Sequence, residues 1–157
     1  MTPRLANPYP LAKDGFAAMV ALEKAISTSP IEKSLVHLIK LRASQINGCA
    51  YCIHMHTTEA RREGESEMRL YMTSAWRESS LYSPRERAAL AWTEALTRLP
   101  DTGAPDADWE LVCDQFDETE RAWLSLAVGA INVWNRVAVG FRYGHPVEER
   151  TGAENAA

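Results

Sequence analysis

Apolar residues follow helical spacing along nearly the whole of this 157-residue chain. They recur every three or four positions, the repeat that places side chains on one face of an α-helix. Alternation of apolar and polar residues, which would indicate half-buried strands, never extends beyond a few positions. The sequence therefore predicts an all-α fold. Its length and its 46% hydrophobic content predict one helical domain over residues 1–146, followed by a polar, disordered tail over 147–157.

Helix-start and helix-stop signals divide this pattern into seven predicted helices. Ser29-Pro30-x-Glu32 and Ser83-Pro84-x-Glu86 both have the capping-box order of hydroxyl residue, proline and glutamate. Asn47-Gly48 is typical of a helix end. We expect helices at residues 11–28, 30–46, 49–64, 67–76, 85–99, 106–116 and 118–142, with a loop over 100–105.

Charge and hydropathy exclude several classes of partner. The net charge of -4, without any run of Lys and Arg, gives no reason to expect nucleic-acid binding. The richest apolar stretch, residues 123–141, is interrupted by Asn132, Asn135 and Arg136, so no membrane span is predicted. The first residues lack the apolar segment of a signal peptide, and we expect a cytoplasmic protein.

The stretch NGCAYCIHMH, residues 47–56, concentrates the reactive side chains of the chain. Its spacing is C-x-x-C-x-x-x-H, formed by Cys49, Cys52 and His56. If the segment after Gly48 is helical, a step of about 100° per residue puts these three side chains within roughly 60° on one face. Two thiols three positions apart can close a disulfide, so the motif indicates a redox site or an incomplete metal site.

Several interpretations of the cysteine pair are compatible with this chemistry. A helix N-terminus beside an imidazole favours a thiolate, which can attack a peroxide, and the second thiol can then condense with the sulfenic acid. The pair could instead exchange disulfides with a partner, or act as a redox sensor. It could also be two small buried thiols, or bind zinc with His56 and a fourth ligand such as His37 or Glu59. Redox chemistry is favoured, with no cofactor and no resident metal.

The remaining reactive or aromatic residues favour structural roles. His37 lies in an apolar helix and, by its surroundings alone, is a core or interface residue rather than a catalyst. His54 should point away from the active face, and His145 should lie at the surface. Cys113 is expected to be a small core residue. Tryptophans are scattered over several helices, as core or subunit-interface residues would be: Trp76, Trp92, Trp109, Trp123 and Trp134.

Two segments of the chain resemble the alkyl hydroperoxidase D (AhpD-like) / carboxymuconolactone decarboxylase-like family. They are LIKLRASQINGCAYCIHMHTTEARREGES and LYMTSAWRESSLYSPRERAALAWTEALT, about a third of the chain together. The cysteine motif, then W-R, then R-E-R-A-A-L-A-W follow one another in an order that is highly specific for this family. The decarboxylase branch lacks the cysteine pair, so the resemblance favours the peroxidase branch. It implies an AhpD-like helical domain that forms trimers or hexamers, with the motif helix near a subunit interface.

The resemblance also implies roles for individual residues. Cys52 matches the cysteine that attacks the hydroperoxide, Cys49 the resolving cysteine, and His56 the histidine of the proton relay. The helix dipole alone would favour Cys49 as the attacking residue, but His56 is one turn from Cys52 and two from Cys49. The implied reductant is a dithiol, carried by a lipoyl protein or a thioredoxin-like protein.

The sequence departs from the peroxidase branch at two positions. His37, twelve positions before Cys49, stands where that branch usually has the relay glutamate. Tyr51 stands where that branch can have a histidine. A neutral imidazole can pass protons but lacks the negative charge of a carboxylate. The expected function is therefore thiol-dependent reduction of hydroperoxides, with thiol–disulfide exchange or redox sensing as the alternative.

Overall fold

The computed structural model describes residues 2–146. Within that part of the chain the regular structure is entirely helical, which confirms the all-α prediction. The tail predicted over 147–157 lies outside the described residues. The α-helices are α1 (Lys13–Ser27), α2 (Lys33–Ile46), α3 (Ala50–Arg62), α4 (Glu67–Met72), α5 (Pro84–Thr97), α6 (Leu99–Thr102), α7 (Asp106–Gln115) and α8 (Glu118–Phe141), with 3-10 turns at Tyr9–Ala12 and Thr73–Ala75.

Capping boxes fix the starts of two core helices, α5 and α8. The Ser83 hydroxyl accepts from the backbone N–H of Glu86, and the Glu86 carboxylate accepts from the N–H of Ser83, as the sequence predicts for α5. Asp117 and Glu120 form the same reciprocal pair at the start of α8. Each box satisfies backbone donors that have no partner inside the helix.

The predicted cap at Ser29 is wrong. α2 begins at Lys33, its N-cap is the extended Glu32, and no side chain caps it. The backbone N–H of Ser29 donates to the carbonyl of Ile26, so Ser29 continues the turn that ends α1. Its hydroxyl accepts weakly from Ile31, two residues later. The Ser-Pro-x-Glu pattern therefore marks a turn here rather than a helix start.

Helix α2 runs through the centre of the domain and packs against α3, α5 and α8. Its Leu38 and Ile39 side chains are completely buried. From α8, Leu124, Val128 and Ile131 fill the space around it. Burial of this kind supplies most of the driving force for folding, at roughly 25 cal/mol per Å² of apolar surface. The core therefore surrounds α2, which leads directly into the cysteine motif.

By length and composition alone, α8 could cross a membrane. One face of this helix, however, is buried in the domain core against α2 and α5. The core helix of a globular domain passes the same test, because it too is long and apolar.

One expectation about side-chain burial needs correction. Cys113 is exposed, not a core residue, because α7 buries only Val112, its neighbour on a different face of the helix. Its Sγ accepts from the Arg121 guanidinium at 2.9 Å. Trp76 and Trp92 are buried as expected, whereas Trp109 on α7 is 38% exposed.

Candidate redox site

A sharp turn between α2 and α3 positions the cysteine motif. Gly48 has a φ of +64°, in the left-handed region that side chains disfavour. The chain can therefore reverse within two residues, and the backbone N–H of Cys49 donates to the carbonyl of Ser44 at 3.0 Å. This is the helix-stop role that Asn47-Gly48 predicts.

Buried amides anchor this turn to α8. The Asn47 side-chain amide donates to Asn132 at 3.0 Å and to Asn135 at 2.9 Å, and Asn135 in turn donates to the Ser44 hydroxyl at 3.0 Å. Ser44 is completely buried and Asn135 is 1% exposed. Buried amides that lose their partners are costly, so this network holds the start of α3 in one position. In the sequence alone, the two asparagines of α8 are recognisable only as breaks in an apolar stretch.

Cys49 and Cys52 form a disulfide, with their Cα atoms 5.3 Å apart. Cys49 is the N-cap of α3, and the backbone N–H of Cys52, in the first turn, donates to its Sγ. Each cysteine is only 1% exposed. The four peptide N–H groups at the start of α3 lie beside this pair, where they favour negative charge on sulfur.

His56 lies one turn beyond Cys52 on α3 and is 4% exposed. Its Nδ1 is 3.2 Å from Glu59 Oε2, and its Nε2 has no hydrogen-bond partner among the described residues. Burial lowers the pKa of His56, and the hydrogen bond to Glu59 offsets that effect in part. The imidazole is therefore held neutral near pH 7, with Nε2 free to accept a proton when Nδ1 donates to Glu59.

His37, on α2, lies beside His56 and Glu59. One ligating atom from each of the three side chains lies within 4.8 Å of the others. The Nε2 of His37 is 3.2 Å from Glu63 Oε2, and its Nδ1 is buried without a hydrogen-bond partner in the described part of the chain. The structure thus places all four predicted site residues in one region, and it adds two carboxylates from the later turns of α3.

Glu59 is the residue whose importance the sequence analysis underestimated. Its carboxylate reaches the imidazole of His56, and chiefly because of that hydrogen bond its pKa is lowered. The relay glutamate implied by the resemblance is missing from α2, but Glu59 brings a negative charge to the same imidazole from α3. The available signal was the three-residue spacing from His56, which places both side chains on one face of a helix.

A pocket of about 320 Å³, here called the thiol pocket, opens beside Cys52. Cys52, His56, Glu59 and Lys40 line its polar end, and Cys49 is not part of its wall. Lys40 forms an ion pair with Glu23 at the same end. The rest of the wall is mostly apolar and aromatic, including Tyr51, Ile131, Trp134 and Tyr143. Of the two sulfurs, that of Cys52 is therefore the one a small molecule in the pocket would meet.

His54 and His145 lie apart from this cluster. Their rings stack on each other, with centroids 5.6 Å apart. His145 is exposed, as the sequence predicts. Neither residue lines the thiol pocket.

Together, the fold and the site define a helical domain with a buried, disulfide-bonded cysteine pair beside a buried histidine. The chain belongs to the carboxymuconolactone decarboxylase family, whose model matches residues 13–95. The AhpD-like resemblance read from the sequence is thereby confirmed.

Similar proteins agree with this assignment. The uncharacterized protein YdfG of Bacillus subtilis is 42% identical over 131 residues, which cover 83% of this chain and 89% of YdfG. A crystal structure from Agrobacterium tumefaciens, of a protein of unknown function named as a candidate AhpD antioxidant defence protein, has 46% identity and a TM-score of 0.90, over 94% of this chain and all of that one. The apo debrominase Bmp8 shares the fold at 21% identity and a TM-score of 0.76, over 83% of this chain and 70% of its own.

Proposed function

We propose that this protein is a thiol-dependent peroxidase that reduces hydroperoxides through Cys52 and Cys49. The observation that carries the proposal is the position of Cys52. Its side chain lines the thiol pocket beside His56, while Cys49 lies behind it within disulfide distance. An attacking thiol needs access to substrate, and a resolving thiol needs access only to the first sulfur.

The reaction begins from the dithiol form. The Cys52 thiolate attacks the distal oxygen of ROOH, so an S–O bond forms, the O–O bond breaks, and RO⁻ leaves as the alcohol after taking a proton. The Cys49 sulfur then attacks Sγ of the Cys52 sulfenic acid, and the disulfide forms as water leaves. The sum is two thiols and ROOH giving one disulfide, ROH and H₂O.

His56 is the proposed proton carrier for both steps. A neutral Nε2 takes the Cys52 proton and returns it to the leaving oxygen. Glu59 is the proposed positioning residue, because its carboxylate holds Nδ1–H and stabilises the imidazolium that forms. His37 would exchange protons with this pair from α2. Glu59 would supply the negative charge that the relay glutamate of the peroxidase branch carries and that His37 lacks.

A dithiol reductant is the proposed source of the two electrons that regenerate the thiols. One of its thiols attacks the Cys49–Cys52 disulfide, and its second thiol resolves the mixed disulfide. Both cysteines are 1% exposed, which favours a slender dithiol such as a lipoyl arm over the broad surface of a thioredoxin-like protein.

A homo-oligomer, a trimer or a hexamer, is proposed as the working form, in the cytoplasm. Apolar side chains on α1 and α8 remain exposed in the single chain, among them Val20, Leu126 and Val133. Exposed apolar patches of this kind mark protein interfaces. Light scattering of the purified protein tests this proposal, and a monomer at micromolar concentration would contradict it.

Thiol–disulfide exchange or redox sensing is the alternative function, and the replacement of the relay glutamate by His37 is the observation that favours it. Steady-state kinetics separate the two. With dihydrolipoamide in excess, the peroxidase consumes cumene hydroperoxide saturably, and Cys52→Ser abolishes turnover. A protein that reduces small disulfides but consumes no hydroperoxide under the same conditions is an exchanger instead.

A further inference from the structure

We propose that His37, His56 and Glu59 form a binding site for a divalent transition-metal ion, with Zn²⁺ the best fit. This site uses neither active-site cysteine and goes beyond the proposed redox function. One ligating atom from each residue lies within 4.8 Å of the other two, on two helices that pack together. Two imidazoles and one carboxylate are a ligand set that suits zinc and its neighbours in the first transition row.

Unpaired nitrogen atoms supply an independent reason to expect a ligand. His56 is 4% exposed, yet its Nε2 has no hydrogen-bond partner among the described residues, and the same holds for the buried Nδ1 of His37. Buried polar atoms without partners are uncommon, and each one needs an explanation. A metal ion would satisfy the Nδ1 of His37, since a neutral imidazole offers it a lone pair, and Glu59 would then ligate the ion instead of accepting from Nδ1 of His56.

The surrounding hydrogen bonds resemble those that orient metal ligands. The Nε2 of His37 lies 3.2 Å from Glu63, so the ring can donate a proton there and present its other nitrogen as a lone pair. Histidines that bind metals usually have such a carboxylate on the second ring nitrogen, because it fixes the tautomer and the ring orientation. Glu63 is therefore placed to act as the outer partner of His37.

The local charge favours a dication. Two lysines lie nearby, Lys33 and Lys40, and Lys40 is paired with Glu23. In the part of the chain that the structure describes, Glu59 and Glu63 form ion pairs with histidines only, not with Lys or Arg. The carboxylates of Glu59 and Glu63, beside the two imidazoles, therefore present negative charge that a Zn²⁺ ion would balance.

An ion can reach this site from solvent. A second cavity, of about 260 Å³, is lined by His37, Glu59 and Glu63. Glu59 also lines the thiol pocket, so the carboxylate lies between the two spaces. The second cavity gives both an entry path and room for the water molecules that complete the coordination of zinc. A bound ion would occupy the same imidazole that the peroxidase step uses.

Metal binding to the oxidised protein tests the proposal. In the disulfide form neither Cys49 nor Cys52 can ligate, and a Cys113→Ser background removes the exposed third thiol. We expect one equivalent of Zn²⁺ by competition with a chromogenic chelator. We also expect a Co²⁺ spectrum with d–d bands and no thiolate charge-transfer band. Glu59→Gln and His37→Ala should each weaken Zn²⁺ binding at least tenfold.

His145→Ala is the matched control, because it removes one ring of the other pair of adjacent histidines, His54 and His145. It should leave the stoichiometry and affinity unchanged. No stoichiometric binding would overturn the proposal. Zn²⁺ binding that persists in both Glu59→Gln and His37→Ala, each with wild-type helicity, would also overturn the proposal. The same holds for Zn²⁺ binding that only His145→Ala removes. No peroxide is present, so the result is independent of the proposed peroxidase function.

Discussion

Glu59 Oε2 lies 3.2 Å from Nδ1 of His56, so a carboxylate from the same helix holds the buried imidazole beside the cysteine pair. The resemblance implies a relay carboxylate at position 37, on α2, where this chain has a histidine. In the proposed relay the His56–Glu59 pair would take over this role, because the carboxylate orients the imidazole and brings a negative charge to it.

Glu59→Gln should slow peroxide-driven oxidation of the thiols by about tenfold to a hundredfold at neutral pH. The amide keeps the size of the side chain but no longer stabilises the imidazolium. Stopped-flow measurement of the second-order rate across pH checks this, and the rate should show a lower apparent pKa for His56. Glu110→Gln, at an exposed position on α7, is the matched control. Equal rates and pH profiles in both variants would remove Glu59 from the relay.

The stability of the fold should fall as the pH drops below about 6.5, because burial lowers the pKa of His56 from its ordinary value of 6.5. In that range His56 binds a proton more readily in the unfolded chain than in the folded protein, so unfolding is favoured. Above that range His56 is neutral in both states and no longer changes the free energy of unfolding. The slope from this one residue is at most about 1.4 kcal/mol per pH unit. Glu59 also has a lowered pKa. Because the ordinary pKa of a glutamate is 4.5, the stability that this carboxylate contributes is lost only at lower pH.

Urea unfolding between about pH 7 and pH 5 measures this effect, with His56→Gln compared with the wild type. The variant should lose less stability over that interval. The exposed His145→Gln serves as control and should follow the wild type. If His56→Gln and wild type lose stability in parallel, His56 is not the residue that resists protonation.

Gly48→Ala should destabilise the protein by roughly 1–2 kcal/mol, because position 48 has a φ of +64° that an alanine adopts only with strain. An added Cβ would meet no atom within 4 Å, so the cost is conformational rather than steric. Gly15→Ala is the control, since that helical site is equally open and should be neutral or gain up to about 1 kcal/mol. Thermal unfolding of both variants checks the difference, which would be absent if the turn before Cys49 tolerated a side chain.

Much of the fold could be predicted because its signals are local. The Ser83 capping box, the Asn47-Gly48 helix end and the apolar stripe of α8 depend on residues only a few positions apart. Ser29 carries the same signal as Ser83 and yet continues the end of α1, because α2 does not begin until Lys33. A capping pattern shows where a helix can start, and neighbouring contacts decide whether it does.

The site was predictable only in part for the same reason. Cys49, Cys52 and His56 share one helix face, so their juxtaposition follows from spacing alone. The network of Asn47, Asn135 and Ser44 joins residues up to 91 positions apart, which no local pattern reveals. Cys113 was misjudged because the burial of α7 depends on where that short helix lies in the domain.

Stoichiometric oxidation by an organic hydroperoxide tests the central claim most directly. Fully reduced protein in a Cys113→Ser background receives one equivalent of cumene hydroperoxide, and free thiols and intact mass are measured before and after. We predict the loss of both thiols and about two mass units in that background. Cys49→Ser should instead gain about 16 Da as a Cys52 sulfenic acid, and Cys52→Ser should not react. Unchanged thiols and mass in the reduced, folded protein with Cys49 and Cys52 intact would contradict the peroxidase function.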